Sequence, residues 1–308
     1  MPRPADRPAA DVGPGGRAPR RGPSRRAVLI GAGAAAVVAG VGVPTAVALR
    51  PRRPGRLVSA LLDAKRFTIA HHGGSGDWPE ESLYAYAHAA ASGVDALEVS
   101  LARSSDGVWF GLHDATLDRT SGTSGYTASE HTWDEIRAHR ISPTGSQDPA
   151  QPSRPYARFD DILDAYGETH ALFVDPKVAG AEHYDELFAL VAEHVSNPTE
   201  TMVAKGYCTS TRWADAASGR GHQTWGFYYA NEIAAKPDLL TSTQDRWSTL
   251  GLDYDGAPAQ WRTVTSIGKP VVGHVIPTAA AARTALDLGA QGLMISGVTA
   301  TMGHLPAD

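Results

Sequence analysis

The sequence predicts an α/β fold: a (β/α)8 TIM barrel forming a single domain behind an N-terminal export segment. Three observations lead there. Short β-branched apolar runs alternate with helical patterns from residue 67 onward, as a parallel sheet with helical crossovers requires. Eight such units fit in the rest of the chain, and a closed barrel of this kind takes about 250 residues. The first fifty residues are set apart by their Arg, Pro, Gly and Ala content and have no amphipathic period, so they stand outside the fold.

In chain order, residues 1–50 come first. Ser24-Arg25-Arg26 precedes an uncharged, Gly/Ala-heavy run over 27–49 that ends in Ala46-Val47-Ala48, which resembles a twin-arginine export signal. A run of this length can also span a bilayer, so the segment reads either as a signal cleaved after Ala48 or as a membrane anchor. Both readings send the protein out of the cytoplasm, to the exterior or the cell surface. Residues 51–66 read as a Pro/Arg-rich linker and 67–308 as the barrel.

Strands are expected at 67–70, 96–99, 108–112, 171–174, 201–204, 224–228, 271–275 and 292–295, with helices at 81–91, 132–140, 160–166, 182–195 and 279–288. A ninth strand candidate at 250–254 means that one of the nine is an accessory piece. An open doubly wound sheet is the rival fold. The Ser-, Pro-, Gly- and Gln-rich stretch 142–155 reads as a surface loop.

Charge narrows the partners. The chain carries 28 basic and 33 acidic groups; less the 11 and 2 in residues 1–56, residues 57–308 keep 17 and 31, a formal net charge of −14. An acidic domain lacks the electrostatic footprint of a phosphate-backbone binder, so no nucleic acid is expected. Anionic membranes should repel it too, which leaves the N-terminal segment as the only membrane attachment. Cys208 is the single cysteine, so no intrachain disulfide forms and packing must supply the stability.

Catalytic groups of such a barrel lie on loops at the carboxyl ends of the strands. His71, Glu98, His113 and Asp175 each end or follow an expected strand and therefore converge on one rim. An isolated His is usually a hydrogen-bonded structural residue, Glu98 can simply cap a strand, and Asp175 before Pro176 can merely open a turn. Two histidines at matching strand ends weaken these readings. Cleaving a phosphodiester needs a base, an acid and positive charge near the phosphoryl oxygens, and two imidazoles can fill the first two roles near neutral pH. Trp225, Phe227, Tyr228 and Tyr229 can line a pocket, although core packing is the default for alternate members of a strand; His274 has no evident role.

His71-His72-Gly73-Gly74, Pro79-Glu80-Glu81-Ser82-Leu83, Gly93 to Glu98, Asp106-Gly107 and His113 to Thr120 together resemble the glycerophosphodiester phosphodiesterase family, with weaker likeness at Asp175-Pro176-Lys177 and from Lys269 to Gly297. The resemblance implies a barrel that releases an alcohol from small glycerol phosphodiesters, with His71 and His113 as the acid/base pair. In that scheme the glycerol hydroxyl beside the phosphate attacks first, and water then opens the cyclic phosphate. It further implies a divalent cation, Ca²⁺ or Mg²⁺, on Glu98 and Asp175, with Glu80 nearby as ligand or organiser, and Lys177 facing the phosphate beside His72.

Four departures qualify this. His72 replaces the family's usual arginine, Ser100 its aspartate, Asp175 its glutamate, and the last strand ends Ile295-Ser296-Gly297 in place of Thr-Asp. Losing the carboxylate at 100 weakens a hard-cation site. Three readings of the pocket follow: a weakly bound metal, a guanidinium such as that of Arg103 in the cation's place, or a catalytically impaired barrel that binds a phosphorylated ligand. A related diesterase acting on sphingolipid or inositol phosphodiesters is a further rival.

Overall fold

Side chains along a strand alternate between its two faces, and in this chain the alternation sorts residues between the barrel's interior and its helical coat. The computed structural model describes residues 55–305 apart from 144 and 147. The export segment 1–50, and the linker as far as residue 54, lie outside the described residues. Numbering the barrel strands alone, β1 is Phe67–Ala70, β2 Ala96–Arg103, β3 Ala171–Asp175, β4 Met202–Tyr207, β5 Gln223–Tyr228, β6 Thr249–Asp253, β7 Val271–Ile276 and β8 Gly292–Ile295. Each pairs in parallel with the next. β1 closes the ring, aligning Phe67 with Gly292 of β8 and Ile69 with Ala96 of β2.

The expected TIM barrel is therefore present, and the open sheet is excluded. The surplus strand is the one expected at 108–112: Trp109–Gly111 runs antiparallel along the end of β2. Only residues 104–108 separate the two, whereas a parallel neighbour needs a crossover of a dozen residues or more. The ninth candidate, expected at 250–254, is β6 of the barrel.

Phe67, Ile69, Ala96, Ala171, Phe173, Val203, Trp225 and Phe227 pack together inside the barrel. Their strand neighbours Leu97, Val99, Leu172, Val174, Ala204 and Tyr228 join the larger core beneath the helices. A short helix, Val58–Leu62, adds Val58 and Leu61 to the interior group, so part of the expected linker belongs to the fold. Arg56 secures it, its backbone N–H bonding to the Asp95 carbonyl at 2.8 Å.

Side-chain caps start a few of the helices. Ser82 Oγ accepts from the Ala85 backbone N–H at 3.1 Å and starts helix Leu83–Ala91, which buries Ala85, Tyr86, Ala89 and Ala90. Helices Thr211–Ser218 and Pro258–Thr265, the latter opened by proline at its first position, complete units for which the sequence suggested only strands. Within the stretch expected as a surface loop, Gln151 Nε2 donates to the Asp77 carbonyl at 2.7 Å. Among the described residues no helix is long and apolar enough to cross a membrane.

Candidate active site

The alternation that fills the interior with apolar groups places Glu98, Ser100, Asp175 and Lys205 on the inward side of β2, β3 and β4 near their carboxyl ends. All four are buried. Above them the chain leaves β1 through a turn at His71–Gly73 in which His72 takes a left-handed backbone, φ 50° and ψ 37°. Left-handed geometry in a non-glycine residue costs about 1–3 kcal/mol and persists only where its surroundings fix it. Here they do. His72 N–H donates to Glu98 Oε2 at 2.7 Å, and its carbonyl accepts from the N–H of Glu81, itself at φ 56°.

The turn stacks two imidazoles and sets them beside a third. The His71 and His72 rings lie 3.8 Å apart between centroids and 23° from parallel, and the His113 ring is 5.1 Å from that of His72. Leu112 N–H bonds to the Ser100 carbonyl at 2.9 Å, tying the His113 loop to the end of β2. Burial pushes the His71 imidazole down to about 4, so it is neutral at neutral pH. His72 is also held well below the usual imidazole range, by burial and then by the adjacent His71.

His113 is oriented from outside the stack. Its Nδ1 donates to Asp114 Oδ1 at 2.7 Å, and Asp114 Oδ2 accepts from Arg119 Nε at 2.6 Å. Arg119 turns its two terminal nitrogens on Glu80, at 2.7 and 2.8 Å. Burial opposes the charge on Asp114, but its bonds to Arg119 and His113 hold the carboxyl below its ordinary value. The carboxylate thus fixes the ring and leaves Nε2 for other partners.

Beneath the imidazoles, Lys205 Nζ joins two carboxylates, at 2.9 Å from Glu98 Oε1 and 3.1 Å from Asp175 Oδ2. Burial opposes the ammonium, but Glu98 and Asp175 raise the Lys205 pKa above its ordinary value. Glu98 is held well below the carboxylate range against its own burial, chiefly by Lys205 and then His72. Lys177 Nζ lies 2.8 Å from the same Asp175 oxygen. Ser100 Oγ donates to Glu98 Oε1 at 3.0 Å, and Ser100 N–H donates to Glu81 Oε1 at 2.9 Å. Burial, then the charge of Glu98, push the Glu81 carboxyl well above its usual range.

These contacts test the expected cation site. A hard divalent ion wants several free anionic oxygens. Glu98 and Asp175 already share an ammonium, Glu80 is engaged by the Arg119 fork, and position 100 offers a hydroxyl, so this carboxylate set does not fit Ca²⁺ or Mg²⁺. His71, His72 and Glu98 do place one ligand atom each within 4.8 Å of one another, and that trio can hold a metal ion. Arg103 does not enter the site: it pairs with Glu186 at 3.0 and 2.8 Å.

A cavity of about 300 Å³ opens over this floor, lined by His71, His113, Lys177, Lys205, Trp225, Phe227, Tyr229, Asp253 and His274, with Val275 and Met294. Of the residues expected from sequence, His71, His113 and Lys177 line it. Glu98, Asp175, Glu80 and His72 do not, and instead support those that do. Trp225, Phe227 and Tyr229 share one side, while Tyr228 faces the helical coat with its hydroxyl on Thr243. Burial pushes His274 down to about 3, and its Nε2 donates to the Tyr228 carbonyl at 3.2 Å. Lys205, Asp253 and His274 went unassigned in the sequence. The lysine had a legible signal, being a charge at an inward position of an otherwise apolar strand.

Residues 71–194 match the glycerophosphoryl diester phosphodiesterase family. Over 95 residues the chain is 39% identical to glycerophosphodiester phosphodiesterase 1 of Rattus norvegicus, a stretch that is 31% of this chain and 26% of that relative. The chain thus covers about a quarter of that relative's length. A glycerophosphoryl diester phosphodiesterase from Parabacteroides distasonis superposes with a TM-score of 0.62 at 16% identity, over 83% of this chain and 95% of its own. A phosphodiesterase from Oleispira antarctica, solved in complex with the product sn-glycerol-3-phosphate, gives 0.60 at 18% identity, over 77% and 94%. At these identities the two structures share the fold.

Proposed function

We propose that this chain, whose residues 71–194 match the glycerophosphoryl diester phosphodiesterase family, is a member of it that hydrolyses glycerophosphodiesters to an alcohol and glycerol phosphate. One observation carries the reading: His71 and His113 line the same cavity, and Lys177 lies in its wall. A diester phosphorus between the two rings has a base on one side and an acid on the other.

His71, neutral because it is buried, takes the proton of the glycerol hydroxyl next to the phosphate. The freed oxygen attacks phosphorus while His113 Nε2 gives a proton to the departing alcohol oxygen. Asp114 on Nδ1 fixes the tautomer and offsets the positive charge that His113 carries when both its nitrogens are protonated. The product of this half is a cyclic glycerol phosphate. His113 then takes a proton from water, the hydroxide opens the ring, and His71 returns its proton to the glycerol oxygen. Lys177 draws the phosphate in. His72 is a positioning residue: its backbone N–H anchors Glu98 and its ring supports that of His71.

The test is product analysis on a panel of glycerophosphodiesters, followed by phosphorus NMR. Free alcohol and glycerol phosphate should accumulate, with a cyclic phosphate passing through. A diester whose attacking hydroxyl is methylated should not turn over. Equal cleavage of that analogue would remove the cyclic step, and an inert panel would remove the reading.

Export belongs to the same proposal and rests on Ser24-Arg25-Arg26 ahead of the uncharged run 27–49. Fractionation of expressing cells should place the protein outside the cytoplasm; retention in the cytosol would count against it.

A further inference from the structure

Lys205 is 3% exposed, yet it borders the cavity beside Lys177. Two of its three N–H groups go to Glu98 and Asp175, the carboxylates that the family resemblance assigns to a divalent cation. The third is left for a partner in the cavity. Its Nζ lies 5.0 Å from the Phe227 ring centroid and 5.9 Å from that of Trp225, so two aromatic walls confine the ammonium.

Local charge points the same way. Glu98 and Asp175 bring two negative charges, and Lys205 and Lys177 bring two positive ones in direct contact with them. A divalent ion entering this group would meet two ammonium groups, and the one carboxylate of the His71, His72 and Glu98 trio is already bonded to Lys205. Ser100, which stands where a third carboxylate would add charge, instead gives its proton to Glu98. A phosphodiester, by contrast, brings anionic oxygens to a pair of cations already in place.

We propose that the Lys205 ammonium is a built-in replacement for the divalent cation: it binds a non-bridging phosphate oxygen alongside Lys177, and diester cleavage proceeds without a metal ion. Lys205 stabilises the charge that gathers on the phosphoryl oxygens as the attacking oxygen bonds to phosphorus, and takes part in no proton transfer. The catalytic half of this inference rests on the phosphodiesterase reading above; the ion-binding half does not.

The experiment uses the full-length chain. Wild-type protein dialysed against a chelator should keep its diesterase rate within about twofold, and added Mg²⁺, Ca²⁺ or Mn²⁺ should not raise it. Calorimetric titration with Mg²⁺ and Ca²⁺ should detect no site at millimolar ion. Lys205→Ala should lose about a hundredfold or more in rate under chelation, the usual size of a lost electrostatic stabiliser. With two carboxylates released, it should also gain a measurable Mg²⁺ or Ca²⁺ site. Lys205→Arg, which keeps the charge, should retain more activity than the alanine variant.

Loss of wild-type activity on chelation with recovery on adding metal overturns the proposal. So does a stoichiometric wild-type Mg²⁺ site, or an unimpaired Lys205→Ala. If no diester is cleaved under any condition, the phosphodiesterase reading fails, while the titrations still decide whether the lysine holds the ion's place. If the alanine variant does not fold, the wild-type chelation and titration results decide alone.

Discussion

His113 Nδ1 lies 2.7 Å from Asp114 Oδ1, and the other oxygen of that carboxylate is held by Arg119 Nε at 2.6 Å. One side chain thus fixes the imidazole's tautomer and direction while being itself fixed by a guanidinium anchored on Glu80. Replacing Asp114 with Asn keeps the size but removes the carboxylate that accepts from the His113 Nδ1 proton. Asp114→Asn should lower kcat about tenfold or more and leave KM nearly unchanged, since Asp114 does not line the cavity. Steady-state kinetics on one diester checks this, and a wild-type kcat would remove Asp114 from the mechanism.

The turn carrying His71 depends on Gly73. Its φ is +75°, and a Cβ there would stand 2.9 Å from Ala85 Cβ, on the helix that buries Tyr86. Gly122 has a similar φ of +72° but nothing within 4 Å of such a Cβ. Both alanine variants bear the backbone strain, about 1 kcal/mol, and only Gly73→Ala adds the clash. Gly73→Ala should therefore lower Tm by several degrees more than Gly122→Ala, and it alone should reduce turnover. Equal shifts would mean that the turn absorbs the methyl group freely.

Stability should fall with pH in a window set partly by His170. Burial pushes this imidazole down to about 4, its Nε2 has no hydrogen-bond partner among the described residues, and it is remote from the cavity. The unfolded chain takes up a proton near pH 6.5, which the folded form accepts only near pH 4. The contribution is complete above pH 6.5 and drains between about 6.5 and 4, by roughly 2–3 kcal/mol. Denaturant midpoints at pH 7.5 and 4.5 should converge in His170→Gln relative to wild type. His222 and His274 are shifted the same way, so the difference between the two proteins is the readout. A wild-type slope in the variant would contradict this account of His170.

Much of the barrel was legible because apolar strand runs and helical periods are local signals. Each of its eight strands overlaps one of the nine stretches read from the sequence, and the surplus at 108–112 follows from a connection too short for a parallel crossover. The rim position of His71 and His113 was legible for the same reason. What the sequence did not disclose is pairing over long separations: Arg119 with Glu80 is 39 residues apart, and Lys205 with Glu98 is 107. The lysine also escaped because the strand was read as ending at 204, whereas β4 runs to Tyr207 and turns residue 205 inward. Arg103 looked available from its spacing, but Glu186, 83 residues away, holds it.

Release of glycerol phosphate from a glycerophosphodiester, measured side by side for wild type, His71→Ala and His113→Ala, tests the central assignment most directly. Each single variant should be slower by at least about a hundredfold, and the double variant little slower than either, because the two rings act as one unit. Wild-type rates in either single variant would contradict it.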